Sequence, residues 1–236
     1  MEGTPLPTDV LSDGLWRLCQ NDPHIDRLIA PRFSEIYTSL AVYIEQIELH
    51  NPAWSLVSTN DRKELIIRHI LDSLAPLGII SCYLADDGSA RAADVGSGAG
   101  LPGFPLAIAL PHVQFTLIER GGRRANFLRI TQETLGLANT AVEEAEMEKV
   151  KPDRFNVVTL RAFRPLEPKI FKKILRLCFK GGVLAAYKGR REKINMEMTS
   201  LEDALPDVAD QWEILPCPVP MLEEERHLVV IRRWKK

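Results

Sequence analysis

Two groups of residues in this chain are spaced for chemistry. The run Asp94-Val95-Gly96-Ser97-Gly98-Ala99-Gly100-Leu101-Pro102-Gly103 reads as a strand that ends in a glycine loop and opens a helix. Glu119 closes the next apolar run, Val113-Gln114-Phe115-Thr116-Leu117-Ile118. Glycines let backbone approach a nucleotide-like ligand, and an acid at the end of the second strand is placed to grip both ribose hydroxyls. The second group is cationic. Arg161 ends the apolar run Asn156-Val157-Val158-Thr159-Leu160, and Lys188 ends another that follows Gly181-Gly182.

Charge decides which ligand the loop fits. Gly98-Ala99-Gly100-Leu101-Pro102-Gly103 satisfies the dinucleotide pattern G-x-G-x-x-G, but the first tight glycine is Gly96, so the frame is D-x-G-x-G-x-G. A pyrophosphate over a helix N-terminus wants N–H groups and positive potential, which the Asp94 carboxylate opposes. S-adenosylmethionine (SAM) carries a sulfonium and an ammonium group, which a carboxylate attracts. SAM is therefore expected in preference to NAD(P), with Asp94 and Glu119 on either side of it.

In open α/β sheets ligands lie beyond the carboxyl ends of the strands. Arg161 and Lys188 are aimed at that edge by two independent strands, and they belong to a basic segment. Residues 161–193 hold 11 Lys and Arg against Glu167 and Glu192, although the whole chain carries a net charge of −2. Such a local excess attracts phosphate backbone. Arg226 is a weaker candidate from the residues alone, because Glu223, Glu224 and Glu225 stand beside it.

What is missing narrows the reaction. The turn after the fourth strand, Arg161-Ala162-Phe163-Arg164, lacks the Asn/Asp-Pro-Pro-aromatic pattern of amino-methylating enzymes. Cytosine C5 chemistry needs a nucleophilic cysteine. Pro216-Cys217 has the letters for it, but its place after a late strand puts it away from the fourth. With no obvious general base, the acceptor is expected to be a ring nitrogen that already has a free lone pair, such as guanine N7.

The elements needed to position these groups follow from periodicity. A loose start and a short helix precede a helix capped by Ser34, with Ile36, Leu40, Tyr43, Ile44 and Ile47 on one face, ending near His50-Asn51-Pro52. A second starts at Asp61, with Glu64 as capping-box partner, and ends at Gly78. From Arg91 the predicted order is strand 92–95, helix 103–110, strand 113–118, helix 122–136, strand 140–143, strand 156–161, helix 166–178, strand 182–187, helix 192–204, then strands 211–216 and 227–233. This alternation predicts an α/β fold with a doubly wound, mostly parallel sheet behind an N-terminal helical cap. The expected division is a helical extension over 1–90, packed on a core over 91–236 as one compact unit.

Composition, 45% hydrophobic and 26% charged over 236 residues, is that of an ordinary globular protein. No apolar run reaches the ~20 residues of a membrane span, and no basic-then-apolar leader opens the chain. Cys19, Cys82, Cys178 and Cys217 are scattered without C-x-x-C or His partners. A cytoplasmic, monomeric protein without membrane or metal partners is expected.

Taken together, the chain resembles the RsmG (GidB) family of bacterial 16S rRNA guanine-N7 methyltransferases. The resemblance runs from about Asn51 to Arg232. It rests on Arg68-His69-Ile70-Leu71-Asp72-Ser73, the Asp94–Gly103 loop, Arg161-Ala162-Phe163, Lys188-Gly189 and Glu225-Arg226-His227-Leu228-Val229-Val230. It implies a Rossmann-like class I SAM-dependent methyltransferase acting on a guanine in the decoding-region loop of small-subunit rRNA, either free or in the ribosomal subunit. Gly96, Ser97, Gly98 and Leu101 would line the cofactor, Ala145 and Glu146 would hold its adenine, and Arg161, Lys188 and Arg226 would face the substrate. His69 and Asp72 would either serve that site or pin the cap to the core. The chain departs from the family in two ways: Glu144 stands where a basic residue is usual, and Asn51-Pro52-Ala53-Trp54-Ser55-Leu56 is a loose version of an Asn-rich stretch. The alternatives are a small-molecule methyltransferase with a merely solvated basic face, a non-catalytic SAM- or RNA-binding module, and an NAD(P) enzyme.

Overall fold

A computed structural model describes residues 9–85, 87–161 and 165–234. Seven strands form one sheet in the order β3-β2-β1-β4-β5-β7-β6. They are β1 (Arg91–Val95), β2 (Gln114–Glu119), β3 (Thr140–Glu144), β4 (Phe155–Leu160), β5 (Cys178–Lys188), β6 (Trp212–Pro216) and β7 (His227–Arg232). β1 to β5 are parallel, whereas β7 runs antiparallel to both β5 and β6. Strand order reverses between β1 and β4, which is where a doubly wound sheet opens a crevice for ligands.

Among the described residues ten α-helical segments wrap this sheet: α1 (Val10–Asn21), α2 (Pro23–Ile29), α3 (Phe33–Trp54), α4 (Arg62–Leu65), α5 (Asp72–Leu74), α6 (Leu77–Ser81), α7 (Gly103–Ala109), α8 (Gly122–Leu135), α9 (Pro168–Leu175) and α10 (Arg191–Ala204). Period-2 alternation sends Ala92, Val157, Val183 and Val230 into a core shared with α1, α3, α7 and α8. The intervening Ala93, Val158, Leu184 and Val229 pack under α9 and α10. The helices before β1 therefore share one continuous core with the first face of the sheet.

Several boundaries differ from the sequence expectation for tertiary reasons. Ser34 lies inside α3 rather than capping it, since a 3₁₀ turn (Ala30–Arg32) leads straight into the helix. Pro52 does not stop α3; the helix continues to Trp54, whose ring stacks on His50 at 4.6 Å and meets the edge of Phe127. Asn51 fixes the loop that follows by donating to the carbonyl of Thr59 and accepting from Val57 N–H. Asp61 does cap the next helix by accepting from Glu64 N–H at 2.7 Å. The reciprocal half of the box is not made, because Thr59 Oγ1 accepts from Asp61 N–H and Glu64 turns to Thr59 and Arg68. Gly78 does not end this helix. It sits inside α6, where a Cβ would come within 2.5 Å of Asp22 Oδ2. The fifth strand is longer than expected, starting at Cys178 and passing through Gly181 in the left-handed region.

One feature was invisible to periodicity. Between α4 and α5 the backbone forms a π-helical stretch, Ile66–Leu71, so residues 62–74 form one rod with a widened middle. π-Turns inside helices are concentrated at functional positions.

Candidate active site

The glycine loop is built from its buried acid outward. Asp94, at the end of β1, is 1% exposed and its carboxylate is fully engaged within the protein. Oδ2 accepts from the Ser97 hydroxyl at 2.6 Å and Gly103 N–H at 3.1 Å, and Oδ1 accepts from Thr159 Oγ1 at 3.2 Å. Burial pushes its pKa up, opposed by those hydrogen bonds and by Arg161. Asp94 thus holds the loop in shape, and its charge acts from beneath rather than by the direct contact its position in the sequence suggested. Ser97 is likewise buried and serves Asp94. From the cap, Tyr43 reaches the same loop: its hydroxyl donates to the carbonyl of Ala99 at 2.7 Å. Sequence reading placed Tyr43 only on a core face.

Gly96 and Gly98 present the loop's open side. Both have positive φ, 70° and 58°, and Gly96 is exposed. Glu119 sits opposite, 6% exposed, accepting from Gly98 N–H at 3.0 Å and Gly121 N–H at 2.8 Å. A carboxylate has about four acceptor positions, so two remain for ribose hydroxyls. Ala145 N–H donates to the carbonyl of Glu119, which brings the half-buried Ala145 and the exposed Glu146 to the same edge; Leu101 is buried behind the loop. Open glycine backbone, a carboxylate with spare acceptors and a small-residue edge fit an adenosyl cofactor.

Beside this cradle lies a cleft of about 220 Å³ lined by Arg161, Lys188 and Arg226, together with His69, Asp72 and Cys217. The structure therefore brings the three expected cations together. Arg161 follows the last residue of β4, and its guanidinium donates to Asp72 Oδ2, to the carbonyl of Arg68 and to His69 Nδ1, at 3.2, 3.3 and 3.2 Å. Arg226 donates from Nε to Asp72 Oδ1 at 3.1 Å. The neighbouring acids do not neutralise it: Glu224 pairs with Arg68, and Glu225 accepts from Arg191 N–H. Ala162, Phe163 and Arg164 lie outside the described residues.

Lys188 is held from α10. Its Nζ donates to both carboxylate oxygens of Glu197, at 2.7 and 2.9 Å, and Glu197 Oε1 also accepts from Leu166 N–H. Glu197 escaped sequence reading because nothing in α10 distinguishes it from a solvated acid. Across the ladder, His227 is placed to donate from Nδ1 to the carbonyl of Gly189 at 2.7 Å.

Two of the cleft's titratable groups, His69 and Cys217, are poor bases. Burial, reinforced by Arg161, lowers the pKa of His69 to about 4, so the ring is neutral and its Nδ1 is taken. Cys217 does line the cleft, contrary to its expected remoteness, since its N–H pairs with the carbonyl of Arg226. Burial pushes its thiol up to about 12, which leaves it protonated and unreactive. The Tyr187 hydroxyl, also raised by burial, donates to the carbonyl of Ser73. Glu144, at the departure from the family pattern, pairs with Arg129 at 2.8 Å. Among the described residues no group of three His, Cys, Asp or Glu side chains is placed to hold a metal, and no helix is long and apolar enough to cross a membrane.

A reversal of strand order, a glycine loop and an acid at the end of β2 define a class I SAM-dependent methyltransferase. Solved structures agree on the fold. A tRNA (m1A58) methyltransferase from Aquifex aeolicus superposes with a TM-score of 0.53 at 13% identity, covering 70% of this chain and 69% of that one. A predicted O-methyltransferase from Agrobacterium tumefaciens gives 0.52 at 23%, covering 70% and 81%. Sequence relatives are more specific. The ribosomal RNA small subunit methyltransferase G of Treponema pallidum is 36% identical over 97% of this chain and 95% of its own length. That of Klebsiella pneumoniae is 38% identical over 82% and 87%. Residues 36–212 match the family model of rRNA small subunit methyltransferase G, and the chain belongs to that family. It is a SAM-dependent rRNA methyltransferase.

Proposed function

We propose that the chain methylates N7 of a guanine in small-subunit rRNA. The observation that carries this reading is the chemistry of the cleft, where Arg161, Lys188 and Arg226 converge, Asp72 is held by both arginines, and His69 and Cys217 are kept in unreactive states. Guanine N7 is unprotonated at neutral pH and nucleophilic, and therefore needs no proton removed. SAM supplies an electrophilic methyl group on a positively charged sulfur.

The protein's own residues then act by alignment. Arg161 and Arg226 present guanidinium groups suited to guanine O6 or to its phosphate, which leaves the N7 lone pair free for the methyl group. Lys188, fixed by Glu197, adds a point charge on the same side. Gly96, Gly98, Glu119, Ala145 and Glu146 would hold the cofactor, and Leu101 would back the loop. Such alignment can contribute several kcal/mol, up to about 7–11 in ideal cases. The test is labelling of small subunits from a strain lacking this modification, or of their rRNA, with tritiated SAM, followed by mapping of the nucleotide. Label at a guanine N7 supports the reading. SAM binding with no label in either substrate refutes it.

A further inference from the structure

We propose that Arg120, Arg123 and Arg124 form a second RNA-phosphate surface, on the opposite flank of the cofactor site from Arg161 and Lys188. The proposal rests on the rRNA reading above and adds the path of the strand. All three arginines are exposed at the junction between β2 and α8.

Their position is electrostatically unfavourable for the protein alone. Arg123 and Arg124 occupy the first turn of α8, where the exposed N–H groups already make positive potential, and that turn contains no acid. The cap residue is Gly121, which offers no side-chain acceptor. Nearby carboxylates are committed elsewhere. Glu119 accepts from Gly98 and Gly121 N–H; Glu143 pairs with Arg154, Glu144 with Arg129 and Glu146 with Lys149. Among the described residues no hydrogen bond or ion pair ties down Arg120, Arg123 or Arg124. Cations concentrated at a helix N-terminus, without partners, fit an external polyanion.

Placement fits the same strand that would reach the cleft. Glu119, immediately before Arg120, belongs to the cofactor cradle, so these arginines stand at the sheet edge that carries the site. Two strand spacings separate β2 from β4 and three separate it from β5, or about 10 and 14 Å. A strand entering over Arg120, Arg123 and Arg124 would cross the cofactor and reach Arg161 and Lys188.

The R123Q/R124Q variant of the full chain tests this. Binding to undermethylated small-subunit rRNA is expected to weaken at least tenfold, and the slope of log K against log salt to become shallower by about 1.4 for two lost single-strand contacts. SAM affinity and turnover at saturating RNA should stay within twofold of wild type. Melting temperature should hold or rise, because the opposed charges at the helix end are gone. Lost RNA binding with a retained or raised melting temperature is a combination that damaged folding cannot produce. Unchanged RNA affinity and salt slope would overturn the proposal. So would weakened SAM binding, a lowered melting temperature, or weakened binding to the assembled subunit alone, which would point to a ribosomal protein. A wild-type enzyme that labels no rRNA refutes the functional reading itself; labelling by wild type with an RNA-binding profile unchanged in the variant refutes only this surface.

Discussion

Arg161 and Arg226 approach opposite oxygens of the Asp72 carboxylate, at 3.2 and 3.1 Å. The acid comes from the cap side of the molecule and the cations from the ends of two strands, Arg161 just after β4 and Arg226 just before β7, so one carboxylate joins the helical rod to the substrate cleft. Asp72 is 8% exposed, and the arginine side chains are 14% and 24% exposed. The pairing is shielded without being dry.

Replacing Asp72 separates structure from catalysis. Removing one partner of a buried ion pair costs about 3–5 kcal/mol, and residual solvent around the arginines reduces that to roughly 2. D72N is expected to lower unfolding free energy by about that amount in urea titrations. Its kcat should fall at least tenfold as the guanidinium groups lose their common anchor, whereas RNA affinity should hold or tighten because two cations are released. Weakened RNA binding with normal kcat would mean that Asp72 does not position them.

Glu197 makes a parallel case on the other wall. E197Q keeps an acceptor for Leu166 N–H but loses the charge that orients Lys188. We expect about a tenfold loss of kcat, SAM affinity within twofold of wild type, and a stability loss of roughly 1–2 kcal/mol as the largely buried Lys188 loses its counter-charge. E197A additionally strands the Leu166 amide and should be less stable by about 1–3 kcal/mol. Equal kcat in E197Q and wild type would remove Lys188 orientation from the mechanism.

Which parts of this site were legible in the sequence follows from the range of the interactions involved. The loop from Asp94 to Gly103 and the acid Glu119 belong to consecutive elements, and local spacing was enough to pair them. Arg161 and Lys188 were readable because each ends an apolar strand. Asp72 was picked out only by the resemblance, with its role left open, and Glu197 not at all, because their meaning lies in partners 89 and 9 positions away on other elements. The π-stretch left no mark either, since Ile66, Ile67, Ile70 and Leu71 fit an ordinary helical pattern. Pro52 misled in the opposite direction: a residue that ends most helices is carried here by the stacking of Trp54 on His50.

His69 ties stability to pH. Its pKa is lowered to about 4 in the folded protein against an ordinary 6.5, with burial as the first cause and Arg161 next. The unfolded chain then binds more protons between those values, so the contribution is full above about pH 6.5 and is lost as pH falls toward 4. The loss should reach about 3 kcal/mol at most. Urea unfolding from pH 7.5 to 4.5 checks this against H69N, whose profile should be flatter over that window; identical profiles would mean that His69 does not titrate as its burial dictates.

Two neighbouring glycines should fail in different ways. At Gly100, φ is 87° and an added Cβ would lie 2.2 Å from Cδ2 of Phe104, a ring with 0% exposure that cannot move aside. Overpacking and left-handed strain together should cost G100A about 3–4 kcal/mol, read as a large drop in melting temperature. At Gly98, φ is 58° but the only heavy atom within 4 Å of that Cβ is the Gly96 carbonyl oxygen, at 3.8 Å. G98A should therefore lose only about 1–2 kcal/mol from backbone strain. Its methyl group would project into the space assigned to the cofactor, and SAM affinity should fall at least tenfold by calorimetry. A G98A protein that binds SAM as wild type does would move the cofactor off this loop, and the roles given to Gly96 and Glu119 would go with it.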